Sequence, residues 1–167
     1  MTTGEKIKSA RNHRGMTQNE LGLKLGFDEK SADVRIAQYE SGVRTPKSDL
    51  LSEIANILDV NINSLKNPSL ENTETFIHLL FDLEQESKKQ HTNNFSIISV
   101  PDELGNPQPA IKFHNHLLNE FLSEWQFRRS ELSDGIITEE EYAEWMMNFP
   151  ATSGGCGKSE PVKPWRK

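Results

Sequence analysis

Apolar positions recur at helical spacing along most of the chain, in short blocks first and longer ones later. Residues 4–14 read as a short helix with Ile7, Ala10 and Arg11 turned inward, ended by Gly15. Thr17-Gln18-Asn19-Glu20 has the form of a capping box: the threonine hydroxyl accepts from the third backbone N–H, and the glutamate reaches back. The helix it opens carries Leu21 and Leu25 one turn apart and leaves through Gly26. A third helix is predicted over about 30–41, with Ile36 and Tyr39 on one face and Arg35 and Gln38 on another. Pro46 forbids its continuation. A fourth covers about 48–58, with Leu51, Ile54, Ala55 and Leu58 in register, and Asn61 caps a last short helix holding Ile62 and Leu65.

After Asn67-Pro68-Ser69, which reads as a hinge, the pattern changes. A helix over about 72–90 carries Phe76, Leu79, Leu80 and Leu83 on one side. Residues 95–100 read as a strand, 101–109 as a Pro- and Gly-containing loop, and Ala110–Phe113 as a returning strand. A long helix over about 114–132 bears Leu117, Leu118, Phe121, Leu122 and Trp125, and Gly135 breaks it. Thr138 and Glu141 form a second capping box before a helix with Tyr142, Trp145 and Met146. The expected organisation is therefore a domain over 1–67, a second over 68–150, and a Gly-, Lys- and Pro-rich tail over 151–167 expected to be disordered.

Composition narrows the class. At 34% hydrophobic, the 167 residues suffice for small helical cores and not for a large buried sheet. No apolar run is long enough to cross a bilayer, and the start of the chain lacks the form of a secretion signal, so a cytoplasmic location is expected. One cysteine, Cys156, excludes an intrachain disulfide and a multi-cysteine zinc site. The formal charge of −6 is unevenly spread. Residues 1–67 hold ten Lys/Arg and nine Asp/Glu, 68–150 hold five and fifteen, and 151–167 hold four and one. The acidic excess lies outside the first domain, whose basic residues are expected to gather on one face.

Several stretches imitate chemical motifs and are set aside. His114-Asn115-His116 opens a helix rather than assembling a metal-binding nuclease fold. Ser130 to Glu141 lacks the first aspartate of a calcium loop and places Leu132 at a ligand position. Gly157-Lys158-Ser159 mimics the end of a phosphate loop, but Thr152 stands where the first glycine belongs. His78 and His91 have no catalytic partner in sight. The C-terminal region shows no nucleophile–base set, metal cluster or HExxH stretch, so the chain reads as neither an enzyme nor a cofactor binder.

The order of signals in residues 5–65 resembles the Cro/C1-type (XRE) helix-turn-helix family. The matching stretches are Ile7-Lys8-Ser9-Ala10-Arg11, Met16-Thr17-Gln18-Asn19-Glu20-Leu21 and Leu25-Gly26, followed by Ile36-Ala37-Gln38-Tyr39-Glu40-Ser41-Gly42, Arg44-Thr45-Pro46, and Ile54-Ala55 with Leu58-Asp59-Val60. The resemblance implies a mainly α fold, with a five-helix lambda-repressor-like DNA-binding domain whose third helix enters the major groove. To this is added a small, mostly helical C-terminal domain with a β-hairpin. Eight residues separate Phe27 from Ile36, more than the family usually has, so either the reading helix starts earlier or the turn before it is larger. Gly22, where the family usually has alanine, points to close helix packing.

By this resemblance Arg35 and Gln38 read base edges, because arginine can pair bidentately with guanine and glutamine with adenine. Val34 can meet a thymine methyl, Asp33 can accept from cytosine or hold Arg35, and Lys30 and Ser31 lie near the backbone. Gln18 is placed beside a phosphate, where it also steadies the reading helix. Arg44, Thr45 and Lys47 clamp a flanking phosphate and supply affinity rather than sequence information. Arg11 and Glu40 are expected to form a partly buried structural ion pair. The implied function is a bacterial or phage transcription regulator, a repressor, binding double-stranded DNA as a homodimer on a palindromic operator. The alternative is an antitoxin or phage-immunity regulator whose C-terminal domain binds a protein partner.

Overall fold

The computed structural model describes residues 1–66 and 73–166; the expected hinge at Asn67-Pro68-Ser69 lies outside them. The elements are α1 (Thr3–His13), α2 (Gln18–Lys24), α3 (Ala32–Glu40), α4 (Ser48–Ile57), α5 (Ile62–Leu65), α6 (Thr73–Lys89), β1 (Phe95–Pro101), β2 (Pro107–Phe113), α7 (His116–Ser133) and α8 (Glu139–Asn148). Among the described residues no helix is long and apolar enough to cross a membrane. The chain divides into two compact units, one of Met1–Pro68 with Arg128–Lys167 and one of Ser69–Phe127. The division falls inside α7, so residues 68–150 do not form the single second domain expected from sequence.

In the first unit, reciprocal capping boxes open α1 (Thr2 with Glu5), α2 (Thr17 with Glu20) and α8 (Thr138 with Glu141). Each satisfies two backbone donors that a helix start would otherwise leave to water. The core gathers Ile7, Ala10, Leu21, Ile36, Leu51, Ile54, Ala55, Leu58, Val60 and Leu65 from α1 to α5. Burying the isoleucine, leucine and valine side chains among them stabilises the fold by about 1.5–3 kcal/mol each.

Two glycines let backbones approach. A Cβ at Gly22 would lie 2.6 Å from the carbonyl oxygen of Ala32, so α2 and α3 touch there as only glycine allows. A Cβ at Gly4 would meet the carbonyl oxygens of Tyr39 and Glu40, which seats the start of α1 against the end of α3.

Charge then locks α3. The Arg11 guanidinium donates to Glu40 through Nε (2.6 Å to Oε1) and Nη2 (3.0 Å to Oε2). Its Nη1 donates to the Met16 carbonyl at 2.6 Å, and Gln18 Nε2 donates to Glu40 Oε2 at 2.8 Å. The two charged side chains are only 9% and 3% exposed. With both carboxylate oxygens of Glu40 occupied, the charge is compensated in a place where an isolated one would be prohibitive.

The C-terminal residues of this unit correct the expectation of a disordered tail. Met147 of α8 packs on the core of α1 to α5, and Asn61 donates to the Met147 carbonyl through its backbone N–H and to the Phe149 carbonyl through Nδ2, each at 2.9 Å. Arg14 donates to Glu144 through Nη1 and Nη2 and to the Leu58 carbonyl through Nε. A second cluster gathers Ile137, Trp145 and Trp165, with Leu132, Tyr142 and Phe149 beside it. Thr152 is fully buried, its hydroxyl donating to the Trp145 carbonyl at 2.7 Å. The guanidinium groups of Arg128 and Arg166 each lie 4.9 Å from the Trp165 ring centre, and both donate to Glu131 at 2.6 Å. The Gly/Lys/Pro composition of 151–167 concealed this: one tryptophan and one threonine anchor a segment made otherwise of turns.

In the second unit, α6 leads to an antiparallel hairpin with Phe95 opposite Phe113, Ile97 opposite Ile111 and Pro101 opposite Pro107. The second strand is longer than the predicted 110–113. His114 N–H donates to the Asn94 carbonyl and Asp102 N–H to the Asn106 carbonyl. Hydrogen-bonded and non-bonded pairs alternate along such a ladder. The even-numbered residues of both strands therefore face each other with their amides, and the odd-numbered ones point theirs outward. Pro101, Pro107 and Pro109 all fall on outward places, where a missing N–H costs the hairpin nothing. That is why they do not break the strands as their sequence suggests. Asn115 opens α7, its Oδ1 accepting from Leu118 N–H at 2.9 Å.

Two tests follow from the first unit. Burial pushes the Glu144 carboxyl up, but hydrogen bonds and charge from Arg14, then His13, outweigh it and hold the group below the usual carboxylate range. A carboxyl with a lowered folded pKa adds stability above its unfolded pKa and loses it as pH falls through the folded value. Urea unfolding at a series of pH values is expected to show level stability above about pH 5 and a decline below about pH 4. Glu144→Gln should start less stable and decline less steeply; an unaltered acid limb would contradict this. Glu40→Ala leaves Arg11 buried and unpaired and should cost about 3–5 kcal/mol. A loss below about 1 kcal/mol, the range of an exposed pair, would deny that the pair locks α3.

Candidate nucleic-acid interface

The residues between α2 and α3 settle which alternative the longer spacing takes. Phe27 N–H donates to the Gly22 carbonyl at 3.0 Å, closing α2. Asp28 then organises a turn: its Oδ1 accepts from Lys30 N–H at 3.0 Å and its carbonyl from Ser31 N–H at 2.9 Å. The extra residues enlarge the turn, and α3 begins at Ala32 instead of near residue 30. Lys30 is exposed and Ser31 half-buried, both in that turn rather than on the helix. Asp33 follows in the first helical turn, where the helix dipole favours a negative charge, and accepts from Val34 N–H at 2.8 Å.

Along α3, Ala32, Ile36 and Glu40 are buried at four-residue spacing and form one stripe. With 3.6 residues per turn, the edge opposite that stripe carries Val34, Gln38 and Ser41, with Arg35 at its side. Val34 is 51% exposed, Arg35 is exposed and Gln38 half-buried. The Arg35 guanidinium rests over the Phe27 ring, 4.4 Å from its centre. Phe27 is thus a platform for Arg35, a role the sequence reading missed; an aromatic in the turn ahead of a helix that carries an arginine was the available signal.

The chain after α3 folds back on its end. Gln38 carbonyl accepts from Arg44 N–H at 3.0 Å and from the Ser41 hydroxyl at 3.3 Å. Arg44, Thr45 and Lys47 are exposed around a buried Pro46. Arg44 is therefore brought beside Gln38, one on the loop and one on the helix edge. Gln18, at the start of α2, is half-buried and tied through its amide to Glu40. The structure brings Arg11, Gln18 and Glu40 together in one cluster and leaves Val34, Arg35, Arg44, Thr45 and Lys47 accessible. An edge of this make-up can offer hydrogen-bond donors and acceptors to base edges, flanked by cations for phosphates.

A family model described as helix-turn-helix matches residues 7–65. A solved structure of the transcriptional regulator BswR is 30% identical, over 54% of this chain and 99% of that one, with a TM-score of 0.39. No curated protein matches the chain. Through residues 7–65, the chain belongs to the Cro/C1-type (XRE) helix-turn-helix family of DNA-binding domains.

Proposed function

We propose that the protein is a cytoplasmic, sequence-specific transcription regulator, a repressor that binds a palindromic operator as a dimer and reads each half-site with α3. The observation that carries this reading is the exposed polar edge of α3 within a matched helix-turn-helix segment. Gln38 and Arg35 read base edges, and Val34 offers an apolar contact to a thymine methyl. Asp33, Lys30 and Ser31 lie at the approach to the groove. Arg44, Thr45 and Lys47 hold a phosphate of the flanking backbone. Gln18 steadies α3 through Glu40 while standing beside a second phosphate. A single domain of this size contacts little DNA, and two-fold pairing doubles the contact and makes the site a palindrome. Residues 1–67 act as the DNA-binding part, and the remainder supplies dimerisation.

Selection of bound sites from random duplexes at two salt concentrations tests this. A recurrent palindrome is expected, retained at the higher salt. Gln38→Ala should relax base preference at one position per half-site, at a cost of about 1–3 kcal/mol. Lys47→Ala should weaken all sites alike and reduce the salt slope by about one. Unaltered specificity in Gln38→Ala, or binding with no shared motif, would overturn the assignment of the reading edge.

A further inference from the structure

The unit Ser69–Phe127 is short of a core. Among its described residues, those that are buried are Ser87 and Glu124, both polar. Many of its large apolar side chains are exposed instead: Phe76 44%, Leu79 43% and Phe81 51% on α6, Ile97 71% and Val100 38% on β1, Leu117 56% on α7. Ile77 and Leu83 on α6, Ile98 on β1 and Leu122 on α7 are exposed as well, and apolar surface of this kind is what a stable protein interface covers, at ~800 Å² per partner. A two-stranded hairpin is marginal in water unless further strands or a helix pack on it, so added strands would stabilise this one.

The two edges of the hairpin are not equivalent. On β2 the outward places are Pro107, Pro109, Ile111 and Phe113, so half of them lack an N–H and the edge is blocked. On β1 the outward places are Phe95, Ile97 and Ser99, each with a free-edge N–H and carbonyl, and Pro101 only at the end. Protected edges usually carry a charge, yet residues 90–101 contain no Lys, Arg, Asp or Glu. The unit as a whole holds three basic and nine acidic residues. Two copies therefore repel each other least where they meet along this uncharged strip.

From these observations we infer that β1 pairs antiparallel with β1 of a second copy of this chain, about a two-fold axis at Ile97. Only this register uses all three outward residues: Ile97 faces its own counterpart, and Phe95 faces Ser99 in both directions. A shift of the axis by one residue toward the C-terminus sets Phe95 against Pro101, which has no N–H. The two hairpins become a four-stranded sheet, and the same copy covers the remaining apolar area. The inference names the interface of the proposed dimeric regulator and rests on that reading for its use, but its test needs no DNA.

The full chain carrying Cys156→Ser and Ile97→Cys is oxidised mildly and run on a non-reducing gel. Facing residues of a hydrogen-bonded pair lie about 5.5 Å apart at Cα, within disulfide range. Ile98→Cys in the same background meets its counterpart only diagonally, about 7–8 Å away, and should cross-link at least tenfold less. Ser99→Pro removes an outward N–H without disturbing the hairpin's own ladder. By sedimentation equilibrium its dimer should be at least tenfold weaker, with an unchanged helical circular dichroism signal. Equal cross-linking of the two cysteine variants, none in Ile97→Cys, or full dimerisation of Ser99→Pro would overturn the pairing. A cross-linked chain that ignores DNA would support the pairing and sink the regulator; palindrome binding without the Ile97 cross-link would do the reverse.

Discussion

The carboxylate of Glu40 is the point on which the binding surface turns. It sits at the end of α3, almost fully buried, and accepts from Arg11 of α1 and Gln18 of α2. Three helices are thereby fixed by one group whose desolvation only such partners can offset. The arrangement is directional. Apolar contacts at Ile36 would allow α3 to slide or roll by a fraction of a turn, whereas a bidentate guanidinium–carboxylate pair defines both distance and plane. The close approaches at Gly4 and Gly22 act in the same sense, since they let backbones meet where a side chain would hold them apart. A helix proposed to read bases would have to be held to within about 0.5 Å, and these contacts hold α3 from behind.

The same unit recruits residues from far along the chain. Glu144 gathers His13 at the end of α1 and Arg14 just after it, Lys163 reaches the Asp59 carboxylate at 2.6 Å, and Asn61 binds the backbone at Met147 and Phe149. These contacts lie around the end of α1 and the turn between α4 and α5, away from the outward edge of α3 in the sequence. Much of the acidity of α8 is thus used for capping and for pairing with α1, at Glu141 and Glu144 respectively. The rest of the acidic excess lies outside residues 1–67, and Arg35, Arg44 and Lys47 are exposed.

What was legible in the sequence was local. The Thr17–Glu20 and Thr138–Glu141 boxes announce helix starts because both halves of the signal lie within one turn. The same signal stands at Thr2–Glu5, and with it α1 begins at Thr3, one residue earlier than expected. The polar edge of α3 could be read from Ile36 and Tyr39, whose spacing sets the opposite face. The start of α3 could not, because a turn closed by Asp28 and a helix begun at Lys30 have the same composition. Prolines misled at β2, since their effect depends on whether an amide faces in or out, which is a property of pairing register. The order in residues 151–166 was illegible for a different reason: Trp165 is held by Arg128, a contact that no local pattern encodes.

Titration of the isotopically labelled chain with duplex DNA at low ionic strength, followed through backbone amide shifts, asks most directly whether the outward edge of α3 is the reading surface. The largest changes are expected at Val34, Arg35, Gln38, Arg44 and Lys47, with the amides of α8 near their free positions. No change at saturating duplex, or changes centred on α8 or β1 with α3 silent, would contradict it.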